Sequence, residues 1–186
     1  MSSKSEVSKI FKDARTDFRK ANQAALNRSF KSAFSQTSKF IRQTYNIKKS
    51  DLDSLAVKVP ATINNPYAKI IISHKAIQAS KFTPIVQGWG GTRFREKLGN
   101  SKFVPHAFIL KLKGVDSSGG DYTHTGITFA RYVSGHGKNR KYKWKTVWGP
   151  SGEQLLGSKI SLDYMDNCFD EIFPKEFAAA SDHFIK

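Results

Sequence analysis

From Val7 to Tyr45 apolar and small residues recur at helical spacing. Val7, Phe11, Ala14, Phe18, Ala21 and Ala25 step alternately by four and three places, which keeps one stripe on one helix face. After a shift of one place, Leu26, Phe30, Ala33, Thr37 and Phe40 continue the stepping. Neither Pro nor Gly interrupts the first 59 residues, and the Ala, Lys, Arg and Gln among them favour helix. The spacing predicts one continuous helix of roughly 50–60 Å, at about 1.5 Å per residue. One small domain does not cover a helix of that length, so part of the stripe is expected to meet a second helix or another subunit.

The period then changes. Ser50-Asp-Leu-Asp reads as a turn with capping residues, and Leu55–Val59 alternates apolar and polar positions. Asn64-Asn65-Pro66 is a turn signal before the β-branched run Ala68–Ser73, so two paired strands are predicted around it. Phe103–Lys113 reads as a strand broken at Pro105, and Gly126–Val133 as another. Ser117-Ser-Gly-Gly-Asp between them reads as a flexible loop, and Gly135–Lys145 as a basic hairpin or loop. Helical spacing returns from Gly152 through Leu155, Leu156, Ile160, Met165, Phe169 and Ile172, with Pro174 ending or kinking the helix. The expected class is α+β: a long N-terminal helix, an antiparallel β-sheet (sandwich or partial barrel) and a C-terminal helix. Three segments follow: a long basic helix over 1–50, an antiparallel β region with basic loops over 51–152, and an acidic helix and tail over 153–186.

Composition adds a core and a charge. The chain has 186 residues, 39% of them hydrophobic and 14 of them Phe, which excludes a wholly disordered chain. Its formal net charge of +16 predicts attraction to something anionic, with nucleic acid first and an acidic protein surface or membrane headgroups next. The charge is unevenly placed. Residues 1–50 hold twelve Lys and Arg against three acids, and residues 58–145 hold sixteen against three, while residues 146–186 hold three against seven. The acidic end either faces water or neutralises a basic face of a neighbouring subunit.

Enzyme signals are weak. The five histidines are scattered without a paired carboxylate spacing, and no GxSxG, Walker loop or GxGxxG occurs. Gly88-Trp-Gly-Gly reads as a turn. The single cysteine, Cys168, excludes an internal disulfide framework and a cysteine-based zinc site, and is expected as a buried thiol. No apolar run approaches the ~20 residues of a bilayer-spanning helix, and the opening Met1-Ser-Ser-Lys-Ser-Glu lacks the apolar region of a secretory signal. The expectation is a non-enzymatic soluble protein of a reducing compartment, with no catalytic residue, no cofactor, no metal and no membrane partner.

Binding signals are stronger. Arg93, Arg95, Lys97 and Lys102 flank a Gly-rich segment, and Lys138, Arg140, Lys141, Lys143 and Lys145 crowd a segment with Tyr142 and Trp144. Cations interleaved with aromatics hold phosphates and stack on bases; alternatively Trp144 and Trp148 pack on the sheet while the lysines solubilise it. Arg93, Arg95, Lys138, Arg140, Lys141 and Lys143 are the candidate contacts for DNA or an acidic partner. Without a helix-turn-helix, zinc-finger or RNP signature, any nucleic-acid contact is expected to be sequence-independent.

Several segments in order resemble the phage minor tail protein Z family, the tail-completion proteins. They are Ala25-Leu-Asn-Arg-Ser, Ile41-Arg-Gln-Thr-Tyr-Asn-Ile-Lys-Lys-Ser-Asp-Leu, Phe82-Thr-Pro-Ile, Phe103-Val-Pro-His-Ala-Phe-Ile, Thr125-Gly-Ile-Thr-Phe-Ala-Arg and Trp148-Gly-Pro-Ser-Gly-Glu-Gln-Leu-Leu-Gly. The similarity covers roughly residues 20–160; the loop around Ser117–Asp121 and the acidic end fall outside the pattern. The resemblance implies a structural virion protein of the tail or neck. It would be made in the bacterial cytoplasm and act in tail completion and head–tail joining. It also implies a ring of sixfold symmetry beside tail terminator, tail tube or connector proteins, near the channel through which DNA leaves. The six basic residues would then line that channel. The alternatives from other classes are a free, sequence-independent nucleic-acid-binding protein and, third, a nuclease.

Overall fold

The uninterrupted helical spacing becomes α1, Ser3–Thr44, a single helix of 42 residues. The structure, a computed structural model, describes residues 3–82, 85–115, 121–134 and 141–184. It has the expected α+β order: the long helix, antiparallel strands, then a C-terminal helix. The chain divides into two compact units, each built from separated segments.

The first unit comprises Met1–Phe40, Ala56–Ile72 and Leu156–Lys186. Its C-terminal helix, Lys159–Phe184, starts where the Ser161 N–H donates to Ser158 Oγ at 3.3 Å, a side-chain cap on an otherwise orphan donor. This helix runs antiparallel to α1. Phe18 meets Phe177 edge-on with centroids 5.7 Å apart, Cys168 Sγ donates to Gln36 Oε1 at 3.3 Å, and Phe40 stacks on Tyr164 at 4.4 Å. Ala21, Ala25 and Ala180 form the buried seam, with Phe173, Phe177 and Phe184 packed against it. The hairpin of β1 (Ala56–Val59) and β2 (Lys69–Ile72) pairs in register Ala56 to Ile72, as the Asn64–Pro66 turn signal predicts. It is tied to α1 by Asn27, whose amide donates to the Ala61 carbonyl at 3.0 Å and accepts from the Ala61 N–H at 2.8 Å.

Two expectations change here. The predicted stripe passes from Ala25 to Leu26 and Phe30. The buried line instead runs in steps of four from Ala25 through Ser29 to Ala33 and Thr37, both already in the predicted stripe, and leaves Leu26 and Phe30 half-buried. Small side chains let a packed helix approach closely, and Thr37 satisfies its hydroxyl within α1 by donating to the Ala33 carbonyl at 2.9 Å. A hydrophobicity pattern passes over Ser29 because its side chain is polar. Pro174, expected to end or kink the last helix, does not end it, since the helix continues to Phe184. Losing one helical hydrogen bond there is offset by the flanking Phe173 and Phe177, both packed on the seam.

The second unit comprises Ile41–Leu55 and Ser73–Leu155. A short helix α2, Lys49–Asp53, buries Leu52 completely where the sequence reads as a turn. The strands are β3 (Ala76–Gln78), β4 (Ile85–Gly88), β5 (Gly91–Lys97), β6 (Asn100–Pro105), β7 (Ala107–Val115), β8 (Asp121–Ser134), β9 (Lys141–Thr146) and β10 (Trp148–Ser151). They form the antiparallel sets β4–β5–β6, β7–β8–β9 and β10–β3. The break predicted at Pro105 falls at His106, which adopts φ 56° between β6 and β7 and donates its N–H to the Gly90 carbonyl at 2.7 Å. The basic segment read as a hairpin or loop is strand β9 from Lys141 onward; its preceding residues 135–140, like the Ser117–Gly120 loop residues, lie outside the described residues.

The Trp148–Gly157 segment has a structural account. Gly149 runs against the buried ring of Phe82, so close that a Cβ would sit 2.5 Å from Cε2. Ser151 and Gln154 then form a reciprocal capping box: the Gln154 N–H donates to Ser151 Oγ at 3.2 Å, and the Ser151 N–H donates to Gln154 Oε1 at 2.9 Å. The capped turn, α3 (Gly152–Leu155), buries Leu155. The C-terminal helix Lys159–Phe184 is α4 below.

Candidate nucleic-acid interface

From Thr92 onward, burial along strand β5 alternates. Thr92, Phe94 and Glu96 are buried, while Arg93, Arg95 and Lys97 are exposed, so the period of two puts three cations on one open face. The buried side is anchored: Thr92 Oγ1 donates to the Ala107 carbonyl at 2.7 Å, and Lys102 on β6 pairs with Glu96. That pairing engages Glu96, the acidic residue on β5. No described carboxylate forms an ion pair with Arg93, Arg95 or Lys97 among the described residues.

The register then sets what lies beside the cations. Arg93 pairs with Val86 on β4 and with Phe103 on β6, so all three share one row across the sheet. The Arg93 guanidinium carbon is 6.0 Å from the Phe103 ring centroid, at the outer range of a cation–π contact. Beneath that ring lies Gly91, where a Cβ would come within 2.8 Å of Phe103 Cζ. Trp89 forms the turn between β4 and β5 and is completely exposed, at 106%. Val86, Trp89, Gly91, Arg93 and Phe103 line an open hollow of about 210 Å³.

Of the six residues singled out from sequence, Arg93 and Arg95 thus share a described face. Lys141 and Lys143 occupy alternate positions of β9, with Lys143 opposite Arg131 and Lys141 opposite Ser134. They stand in a different three-stranded sheet from Arg93 and Arg95. Lys138 and Arg140 lie outside the described residues. Trp148 is 54% exposed rather than packed on the sheet. Sequence reasoning missed Trp89 and Phe103. For Trp89 a signal existed: an indole between glycines at a tight turn has few neighbours to bury it. For Phe103 only the strand register supplies the link to Arg93.

Other chemistry is sparse. Cys168 is buried and free, and the Tyr164 phenol is held above its usual value. The largest cause is its hydrogen bond with Cys168, followed by the charge of that thiol, burial and Glu171. His74 pairs with Glu153 at 2.8 Å on the surface. Among the described residues no three His, Cys, Asp or Glu side chains gather as a metal-holding group, and no helix is long and apolar enough to cross a membrane. No family model, curated protein or solved structure matches the chain.

Proposed function

We propose that the chain is a structural bacteriophage virion protein of the tail-completion type. In this reading it assembles with copies of itself at the head-proximal end of the tail and helps join head to tail. The ordered resemblance to the minor tail protein Z family brings the reading in, and one geometric observation supports it most. α1 has 42 residues and its antiparallel partner α4 has 26. The aromatic contact at Phe18 and Phe177 lies near the end of the pairing; before it, Lys9 and residues 11–16 are all exposed, with Phe11 at 73%. Exposed apolar residues on this stretch of helix suit a subunit that is completed by a neighbour. The ring and its sixfold symmetry are implied by the resemblance alone, as are the tail terminator, tube or connector neighbours.

The cationic face of β5 suits contact with the DNA end in the tail channel, through phosphates and without regard to sequence. Deleting the gene from its phage and imaging the particles tests the whole reading. Separate heads and unfinished tails are expected; intact, infectious particles overturn it. A second reading, a free sequence-independent nucleic-acid-binding protein, is favoured by the same β5 face. It predicts a purified chain that stays monomeric at high concentration while binding DNA, whereas the virion reading predicts self-association.

A further inference from the structure

We propose that the open face of β4–β5–β6 is a stacking site for unpaired DNA nucleotides, with Trp89 and Phe103 receiving bases and Arg93, Arg95 and Lys97 receiving phosphates. This deepens the nucleic-acid reading of the β5 face and rests on it. The first ground is the aromatic pair itself. Trp89 at 106% and Phe103 at 51% exposure leave flat apolar surfaces in water, at a cost that burial elsewhere would remove. The same unit buries Phe82 and Phe94 almost completely, so bulky rings do find its interior where the strand alternation directs them inward.

The second ground is that the face is built in layers. Gly91 leaves room for the Phe103 ring, and no other residue type fits beneath it without displacing the ring or the Val104 carbonyl, which would lie 2.4 Å from a Cβ. The hollow between Trp89, Val86 and Phe103 measures about 210 Å³ and is open to solvent on one side. Arg93 stands in its wall, in register with Val86 and Phe103.

The third ground is charge. Arg93, Arg95 and Lys97 are all exposed along β5, whose register with β6 shifts between Phe94 and Lys97, where Lys97 Nζ stands 5.4 Å over the Tyr45 ring, and the nearby carboxylate Glu96 is buried and engaged by Lys102. A row of positive charge beside exposed rings matches a single strand, which offers both phosphates and free base faces. A duplex keeps its base faces stacked internally and has no use for Trp89. An acidic peptide would use the cations and leave the rings idle.

The test measures binding of the full-length protein to a labelled oligothymidine and to a duplex of equal length, by fluorescence anisotropy at two salt concentrations. Wild type should bind the single strand more tightly than the duplex and lose affinity for both as salt rises. Trp89→Ala should weaken single-strand binding roughly tenfold or more and leave duplex binding unchanged, and Trp89→Phe should restore most of the loss. Because Trp89 packs on nothing that buries it, an unchanged melting temperature will show that the variant is folded. The paired change Arg93→Ala with Arg95→Ala should weaken binding of both ligands. If the arginine pair matters and Trp89→Ala does not, the phosphate contact stands and the stacking site is wrong. If wild type binds neither ligand, the nucleic-acid reading of the face fails together with it. Equal affinity for strand and duplex, or binding of oligouridine without oligothymidine, also overturns the proposal.

Discussion

Along the α1–α4 seam the residues hidden from water are small: Ala21, Ala25 and Ala180 are at most 1% exposed. On the open face of β4–β6 the side chains left in water are large: Val86, Trp89 and Phe103 are each more than half exposed. The ordinary relation between side-chain size and burial is thus reversed between the two regions. In the seam, small residues serve close helix approach, and burial energy comes from the phenylalanines on either side. On the sheet, the backbone register rather than apolarity decides which side chains are covered. Exposure of a large residue on a sheet whose other face buries Phe94 signals use of that surface, since the core is already filled.

The contrast can be tested with one residue type in two places. Replacing Phe82, which is fully buried, by Ala should destabilise the protein by about 3–5 kcal/mol in urea unfolding. Next in size is Ala25→Leu. At a position with 0% exposure facing Ala180, the larger side chain should cost about 1–3 kcal/mol; a smaller loss would mean that the seam is looser than described. His106→Val should lose roughly 1–2 kcal/mol, because a β-branched residue resists the φ of 56° at the β6–β7 corner. The smallest effects belong to the open positions. Phe103→Ala and Phe11→Ser should each shift stability by no more than about 0.5 kcal/mol. Phe11→Ser should nevertheless reduce self-association, read by light scattering; retained association would remove α1 from the subunit contact.

The long helix was legible because the first 59 residues of the chain contain neither Pro nor Gly, and the first hairpin because Asn64-Asn65-Pro66 separates an alternating run from a β-branched one. The step of the buried line through Ser29 was hidden by its polarity, and the passage through Pro174 by a local penalty that tertiary packing overrides. For the candidate site, the cations at 93, 95 and 97 stand out in the sequence as flanking a Gly-rich segment, while the strand that exposes them together is supplied by the structure. The neighbourhood of Arg93 could not be read from the sequence, since Phe103 is ten positions away and a shift of one residue in register would turn it to the other face. Lys141 and Lys143 stand in β9, in a different three-stranded sheet from Arg93 and Arg95, a separation that charge along the chain does not disclose.

The exposure of Lys9 and residues 11–16, ahead of Phe18 on α1, has a thermodynamic consequence. About four turns lie ahead of Phe18, near the length at which a helix without partners is marginal in water. Helix content in that stretch should therefore follow subunit concentration, with dilution melting it and association restoring it. Far-ultraviolet circular dichroism across a dilution series, run beside limited proteolysis ahead of Phe18, would read this coupling. The first turns of α1 would then act as a sensor of assembly, in which the last step of folding is completed by a second molecule.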